Sequence, residues 1–278
     1  MSEPSLNPLL SKVKLPGKVF QLPSKGLFYQ PGILADTVKD GEIQVKPMSA
    51  LVELKVRSAD LLISTKIIRE ICTECIPEIL KPEQLISRDI DALFLFLVIS
   101  TYGFDKTIKA IHDCTNSTVH DYNVNLETII NDPRNQVLDH KDVLFSIELD
   151  NGQEVELRPV LFSDSIDMLL MRQQVAKKEV SAPNLITTQE MEDIVVRDIM
   201  SVIKSVSTGG SDSVKIVDSK KIDEWIRILP KRYMDLIIEA AIRASDWGFD
   251  FHVKLKCKDC NEEFDHSMEL NPINFLSG

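Results

Sequence analysis

The sequence has no apolar run long enough to cross a membrane, and its start has no basic segment followed by an apolar core. Its most hydrophobic stretch, residues 92–100, is far too short for a membrane span, and we expect it to be part of a buried helix. We therefore expect neither a membrane protein nor a secretion signal. Five cysteines, an odd number in a chain of 278 residues, give no disulfide framework, so a reducing cytosol is the natural setting.

Positive charge and large aromatic side chains are also scarce. The 32 Lys and Arg are outnumbered by 43 Asp and Glu, and the net charge is −11. Binding to phosphates requires clustered positive charge, and stacking on bases requires aromatic rings, yet the chain holds only four Tyr and two Trp. We predict no nucleic-acid partner, and the charge balance favours binding to another protein.

Motifs of catalysis are missing as well. The sequence contains no Gly-x-Ser-x-Gly elbow, no cysteine in a nucleophile context near a histidine, and no glycine-rich loop for phosphates. Lys25-Gly26 lacks the upstream glycine and the following Ser or Thr of a phosphate loop. We predict that the protein is not an enzyme.

Two β-hairpins are predicted, one in each half of the sequence. Residues 37–45 carry β-favouring residues around Asp40-Gly41, and residues 143–157 carry them around Asp150-Asn-Gly152. Such pairs supply the backbone conformation that tight hairpin turns require. In both halves a proline ends the hairpin and helical spacing of apolar residues follows.

A buried helix and a cysteine turn also occur in each half. Residues 88–101 and 232–244 are predicted to be buried helices, followed by an aromatic-Gly-Phe-Asp tetrad at 102–105 and 247–250. Extended segments around a cysteine come next in both cases. This order predicts an internal duplication and an α+β fold class. We expect two related helix-rich units, each with a β-hairpin and a Cys-containing β-turn segment, and with helices packed on short antiparallel sheets.

The predicted organisation has four parts. Residues 1–19 form a flexible arm, residues 20–130 the first α+β repeat, residues 131–142 a linker, and residues 143–278 the second repeat. The second repeat is longer because of a helical insertion at about residues 176–219. We expect that deleting residues 178–213 leaves the folded core intact and abolishes binding to partners.

The insertion and one loop are the candidate partner-binding surfaces. The insertion has an apolar stripe at helical spacing, and such a helix either lies in a partner's groove or packs on its own domain. The loop is a Pro-Ser-Lys-Gly turn. The candidate residues are Pro23, Ser24, Lys25, Gly26, Met191, Ile194, Val195, Ile199 and Ile203.

Cys257-x-x-Cys260 is the spacing of half a zinc site. Tetrahedral zinc requires two more ligands, and we predict His266 and Cys114 for them, with His252, His112 and His120 as alternatives. The first copy carries Ser117 where the second carries Cys260, so the ligand set is incomplete and a turn that has lost an older metal site is the favoured interpretation. We therefore expect no cofactor, with zinc as the alternative. Cys72 and Cys75 have the same spacing but lie in an apolar helical stretch, where we expect buried thiols.

Several short motifs resemble one known family. They are Leu22-Pro-Ser-Lys-Gly-Leu-Phe-Tyr29, then Ile43-Gln-Val-Lys-Pro-Met-Ser49 with Glu53 and Leu54, then Ile76-Pro77 and the helix that ends at Tyr102-Gly103. Over about residues 19–126 the chain resembles the baseplate hub assembly proteins of T-even-type contractile-tailed bacteriophages. Many members also carry a Cys-x-x-Cys turn after the Tyr-Gly.

The resemblance implies non-enzymatic work late in infection. It predicts a hub assembly factor in the host cytoplasm that acts through protein–protein contacts, in some relatives as a chaperone of the helical tape-measure protein. Its expected partners are therefore the hub and tape-measure proteins. One alternative is a permanent structural subunit of the hub in the virion baseplate, and a second is a zinc-binding regulatory protein.

Overall fold

The computed structural model describes residues 16–56, 65–114, 118–132, 145–181, 188–210 and 212–268. Within these ranges the chain folds into helices and small antiparallel sheets, which confirms the predicted α+β class. Most of the predicted arm, the linker after residue 132 and Ser117 lie outside the described residues. None of the described helices is long and apolar enough to cross a bilayer.

The first sheet has two strands, β1 (Lys18–Gln21) and β2 (Glu42–Val45), which pair antiparallel. The predicted hairpin over residues 37–45 is therefore wrong in its pairing, and Lys18 belongs to a strand instead of the arm. The turn at Asp40 and Gly41 does form, with φ of 50° and 70°. The residues before it do not extend, because the Val38 amide donates to the Ala35 carbonyl in a turn.

Helices α1 (Ala50–Val56), α2 (Thr65–Cys75) and α3 (Ser87–Tyr102) follow, and the short helix α4 (Glu127–Ile130) comes later. Helix α3 is the centre of the first core, with ten of its 16 residues buried, as its apolar residues on all sides predict. It ends where the Gly103 amide donates to the Ile99 carbonyl. Gly103 has φ 92° and ψ −169°, a conformation that only glycine adopts readily.

Two β-hairpins complete the first core. They are β3 (Asp105–Ile111) with β4 (Val119–Asn125), and β9 (His252–Lys256) with β10 (Glu263–Ser267). The second hairpin comes from the far end of the chain, yet its Val253, Leu255 and Met268 pack into the same cluster as α3. Core packing therefore does not follow the predicted boundary between the halves, and the duplication stays a prediction.

The second core lies on a four-stranded antiparallel sheet. Its order is β5 (Ser146–Glu148), β6 (Glu154–Leu157), β7 (Ile203–Ser207) and β8 (Lys215–Ile216). Helices α6 (Thr188–Val202), α7 (Ser219–Ile228) and α8 (Lys231–Ala244) supply its apolar partners. Helix α5 (Phe162–Ser181) runs along the outside of this unit, against α6.

The insertion is an integral part of this second core. Ile203 and Val206, predicted on a helix, lie on strand β7, which pairs with β6 over residues 203–207. Their side chains are buried, as are those of Val196 and Ile199 on α6. The expectation that residues 178–213 are dispensable for folding is therefore wrong, because their removal takes away an inner strand of the sheet and leaves β6 unpaired on one side.

A small apolar cluster joins the two cores. It brings Ile86 and Trp247 together with Phe28, Phe145 and Leu161. Beside it the chain forms an isolated bridge between Ile86 and Leu161, and the Ser87 amide donates to the Val160 carbonyl at 2.9 Å. The start of α3 and the start of α5 are thereby held next to each other.

Candidate functional site

Four side chains with metal-binding atoms meet between the two hairpins of the first core. His112 and Cys114 follow β3, and Cys257 and Cys260 lie in the turn between β9 and β10. Their ligand atoms all lie within 4.8 Å of one another. The Cys114 and Cys257 sulfurs are 3.9 Å apart, and the Cys260 sulfur is 3.3 Å from His112 Nδ1. Each hairpin thus contributes two potential ligands.

The turn between β9 and β10 is built to present its two sulfurs. The Cys257 amide donates to the Glu262 carbonyl, and the Asn261 amide donates back to the Cys257 carbonyl at 3.0 Å, which closes the turn. Asn261 adopts φ 63°, a conformation that Asn tolerates better than most residues. Amide donation from Cys260 to the Cys257 sulfur lowers the pKa of Cys257 to about 6, so that its thiolate is favoured.

Polar contacts around the four residues also run from one hairpin to the other. Thr118 donates to the Asp259 carboxylate, and His120 Nε2 lies 2.9 Å from the same carboxylate. These two contacts lower the pKa of Asp259. The Lys258 ammonium donates to the Asp121 carbonyl at 2.6 Å. The tips of the hairpins are therefore joined by side chains outside the cluster as well.

The imidazole of His112 is held by packing. Its ring stacks on Phe264 of β10, with ring centroids 4.7 Å apart and planes inclined by 24°. This contact directs Nδ1 towards Cys260. Orientation of a histidine by its surroundings is a common feature of metal sites.

The structure brings together three of the four predicted metal ligands, Cys114, Cys257 and Cys260. The fourth position is occupied by His112, whereas His266 lies on β10 opposite Val253 and is not a member of the group. His252 is turned towards Asp250, at 2.7 Å. Sequence spacing alone could not choose among the histidines, because the choice depends on how the two hairpins face each other.

The other cysteine pair behaves as predicted. Cys72 and Cys75 are buried in α2, among apolar side chains of the first core. Burial raises the pKa of Cys72 to about 12 and that of Cys75 to about 11, so both remain neutral thiols at physiological pH. They are apolar core residues and do not join the cluster.

A second polar arrangement lies inside the first core, around Asp89 of α3. The Asp89 carboxylate is fully buried and accepts hydrogen bonds from the Ser24 amide at 3.0 Å, from the Ser24 hydroxyl and from the Tyr29 hydroxyl. Tyr29 in turn accepts from the Ile86 amide at 3.1 Å. Burial raises the pKa of Asp89, and burial together with the nearby carboxylate raises that of Tyr29.

This arrangement changes the interpretation of the Pro-Ser-Lys-Gly turn. Pro23 and Ser24 are buried, and Ser24 is engaged with Asp89, so neither side chain is available to a partner. Lys25 and Gly26 are half-buried. The turn is primarily an anchor on α3, and the expectation of a contact surface is corrected for its first two residues.

Helix α5 carries apolar side chains that the described part of the chain leaves partly exposed. None of residues 162–178 is buried, although the helix carries apolar side chains along this length. Leu169 and Leu170 are 42% and 38% exposed. On α6, Met191 is 52% and Val195 45% exposed, which agrees with their predicted availability.

The remaining predicted partner residues on this segment divide into two groups. Ile194 is half-buried, while Ile199 and Ile203 belong to the second core.

Helices α5 and α6 are cross-linked by ion pairs: Arg172 with Asp198 at 2.7 Å, Arg197 with Asp167 at 2.9 Å, and Lys178 with Glu190.

An open groove runs between α5, α6 and α7. Its volume is about 740 Å³. Apolar side chains line part of it, namely Leu170, Met171, Val196 and Met200. Polar and charged side chains line the rest, and among them Arg227 is paired with both Asp193 and Asp223. A groove lined by both apolar and charged side chains suits an amphipathic helix.

The chain is similar to a known protein family. A family model described as T4 bacteriophage base plate protein matches residues 34–274, which is most of the chain. Searches of curated proteins and of solved structures found no match.

Proposed function

The chain belongs to the T4 bacteriophage base plate protein family, and we propose that within the baseplate it is a non-enzymatic assembly factor of the hub. The family supports a role in the phage baseplate and makes other phage structural proteins the expected partners. The proposal adds that the protein acts through protein–protein contacts in the host cytoplasm, as a chaperone of the tape-measure protein or of hub proteins.

The observation that carries this proposal is the exposure of apolar side chains on α5 and α6, namely Leu169, Leu170, Met191 and Val195. Helices in proteins owe most of their stability to the packing of an apolar face. Along residues 162–178 that packing is incomplete, since no side chain is buried. A helix of this length with uncovered leucines fits a surface that a partner covers.

The groove between α5, α6 and α7, which Leu170 also lines, indicates what kind of partner fits. A partner helix with one apolar face would cover Leu170, Met171 and Met200. Charged side chains beside that face would meet the charged side chains that line the groove. A long helical protein such as a tape-measure protein offers many faces of this type. Ile199 and Ile203 contribute indirectly, because they hold α6 and β7 in place.

The direct experiment is a binding assay between the purified chain and the purified tape-measure and hub proteins of the same phage. We expect the double variant Met191→Lys/Val195→Lys to weaken binding by at least about tenfold, because charges would replace two exposed apolar side chains of the proposed contact. The matched control is Leu51→Lys/Leu54→Lys, which alters two leucines on α1 that are 63% and 66% exposed. Equal binding by both double variants would contradict the assignment of this surface.

A second measurement separates an assembly factor from a permanent subunit of the hub. Peptides of the chain are quantified in purified virions against those of a baseplate protein of known copy number. An assembly factor is absent or present far below one copy per symmetry unit. A fixed stoichiometric copy number would replace the proposal by the structural role.

A further inference from the structure

We infer that His112, Cys114, Cys257 and Cys260 form a structural zinc site that clips the β9–β10 hairpin to the β3–β4 hairpin. The inference goes beyond the proposed assembly role and does not depend on it. It assigns zinc to the chain as a cofactor and makes each of the four residues a zinc ligand. Cys114 and Cys257 are separated by 143 residues along the sequence, so the site is created only by folding.

Two separations, Cys114–Cys257 and Cys260–His112, agree with tetrahedral zinc, and all four ligand atoms lie within 4.8 Å of one another. With zinc–sulfur bonds of about 2.3 Å and zinc–nitrogen bonds of about 2.0 Å, two ligand sulfurs lie about 3.8 Å apart and a sulfur and a nitrogen about 3.5 Å apart. The observed separations are 3.9 Å between the Cys114 and Cys257 sulfurs and 3.3 Å between Cys260 and His112 Nδ1. A disulfide between Cys114 and Cys257 would require about 2.0 Å.

The donor set selects the metal and the role. Three thiolates with one imidazole are soft ligands, which favour zinc over magnesium or calcium. All four positions come from the protein, and structural zinc sites are closed in this way, whereas catalytic sites keep a position for water. The site is therefore assigned a structural role.

The surroundings fit such a site. Amides in the Cys257–Cys260 turn point at sulfur, and the stack of His112 on Phe264 fixes the direction of its ligand nitrogen. The contacts of Asp259 with Thr118 and His120 align the two hairpin tips. Metal ligands are commonly held by outer contacts of this kind.

The fold also explains why a clip is useful here. Each hairpin is a two-stranded sheet, and such a sheet is marginally stable by itself. The β9–β10 hairpin must stay on the first core to keep Val253 and Leu255 out of water. A metal that binds both hairpins at once opposes their separation, because the free energy of metal binding adds to that of folding.

The first test is the metal content of the wild-type chain. The full chain is produced with zinc in the medium, purified through a tag without histidine, and measured by plasma mass spectrometry. We expect about one zinc ion per chain. Zinc below about a tenth of an ion per chain, iron or copper in its place, or an intact mass showing a Cys114–Cys257 disulfide would each overturn the assignment.

The second test assigns the ligands. Cys260→Ser and His112→Ala are expected to lose most of the zinc, while the matched controls His266→Ala and His252→Ala keep it. Because a ligand variant can also fail to fold, cobalt is substituted into the wild-type chain, where thiolate-to-cobalt absorption reports sulfur ligation directly. Loss of zinc in His266→Ala with retention in His112→Ala would overturn the ligand set.

The third test asks whether bound zinc stabilises the contact between the two hairpins. Removal of zinc by a chelator is expected to lower the melting temperature of the wild-type chain by roughly 5–10 °C. The chelator should leave that of Cys260→Ser unchanged. An unchanged melting temperature in the wild-type chain, together with loss of the metal, would show that the ion does not clip the hairpins.

Discussion

Helices α3 and α5 begin side by side and then run through opposite surroundings. At their starts the Phe162 amide donates to the Leu85 carbonyl at 2.8 Å, and the hydroxyls of Ser87 and Ser165 are 2.7 Å apart. From there α3 enters the first core, where ten of its residues are buried. Helix α5 stays on the outside of the second core, and none of residues 162–178 is buried.

The difference in burial suggests different roles for the two helices: α3 stabilises the fold, and α5 offers a surface for a partner. Residues 92–99 of α3 are all buried, and the helix also has a buried carboxylate, Asp89, that orders the Ser24 turn. Helix α5 is held through ion pairs to α6 and leaves leucines uncovered. Substitutions on α3 should therefore act on the stability of the fold, whereas substitutions on α5 should act on binding.

The largest effect is expected at Asp89. Asp89→Ala removes the acceptor of the Ser24 amide, the Ser24 hydroxyl and the Tyr29 hydroxyl, and leaves these donors buried without a partner. We expect a loss of about 3–5 kcal/mol in the free energy of unfolding, measured by denaturant titration. The matching substitution on α5, Asp167→Ala, removes a carboxylate that is 54% exposed and should cost less than about 1 kcal/mol.

Asp89→Asn is the control that keeps the size and shape of the side chain and removes its charge. Its amide oxygen can accept from the Ser24 amide and its NH₂ group can donate to a hydroxyl, so we expect a smaller loss than for alanine. Equal losses for Asp89→Ala and Asp167→Ala would remove the basis of the contrast between the two helices.

The next effect concerns leucines. Leu95 on α3 is fully buried, and Leu95→Ala should cost about 2–5 kcal/mol because it leaves a cavity. Leu169 on α5 is 42% exposed, and Leu169→Ala should cost less than about 1 kcal/mol in the isolated chain. Thermal and denaturant unfolding of both variants provide the measurement. A large loss for Leu169→Ala would indicate that α5 is packed more closely than the structure shows.

The sequence predicts α3 well because its signals are local. Apolar residues on all sides indicate a buried helix, and Gly103 marks its end. The contacts of Asp89 could not be predicted, since its partners Ser24 and Tyr29 lie 65 and 60 residues earlier. The same Ser and Tyr are part of the motif that resembles the phage family, so this motif serves the interior of the fold.

The errors around the insertion and the hairpins have a different origin. Ile203 and Val206 continue the helical spacing of α6, but β-branched residues also favour strands, and pairing with β6 decides the outcome. Whether His112 or His266 joins the cysteines depends on the relative orientation of two hairpins that are far apart in the sequence. Non-local contacts of this kind leave no periodic signal in the sequence.

Acid offers a test of the second core, on whose outside α5 lies. Hydrogen bonds from Lys204 and Lys215 lower the pKa of Glu156 to about 2. A lowered pKa in the folded state contributes stability above the unfolded value, near 4.3, and that stability disappears as the pH falls through about 2. We expect Glu156→Gln to be less stable than wild type by about 1 kcal/mol at pH 7, with the difference shrinking as the pH falls towards about 2.

The measurement is denaturant unfolding of wild type and Glu156→Gln from pH 7 down to pH ~2. The matched control repeats the comparison in a Lys204→Met/Lys215→Met background, where both lysine contacts with Glu156 are absent and the difference should largely disappear. A difference between wild type and Glu156→Gln that stays constant over the whole range would mean that the two lysines do not act on this carboxylate.

The smallest effect is expected where α5 meets α6. The Arg172–Asp198 pair has side chains 59% and 35% exposed, so water and salt weaken the attraction between its charges. A double-mutant cycle with Arg172→Ala and Asp198→Ala should give a coupling energy of about 0.2–1 kcal/mol, which decreases at high salt. The Arg158–Asp164 pair, with side chains 26% and 16% exposed, should give a larger coupling that depends less on salt. The opposite order would mean that the outer part of α5 is more enclosed than its start, and α5 would then resemble α3 instead of contrasting with it.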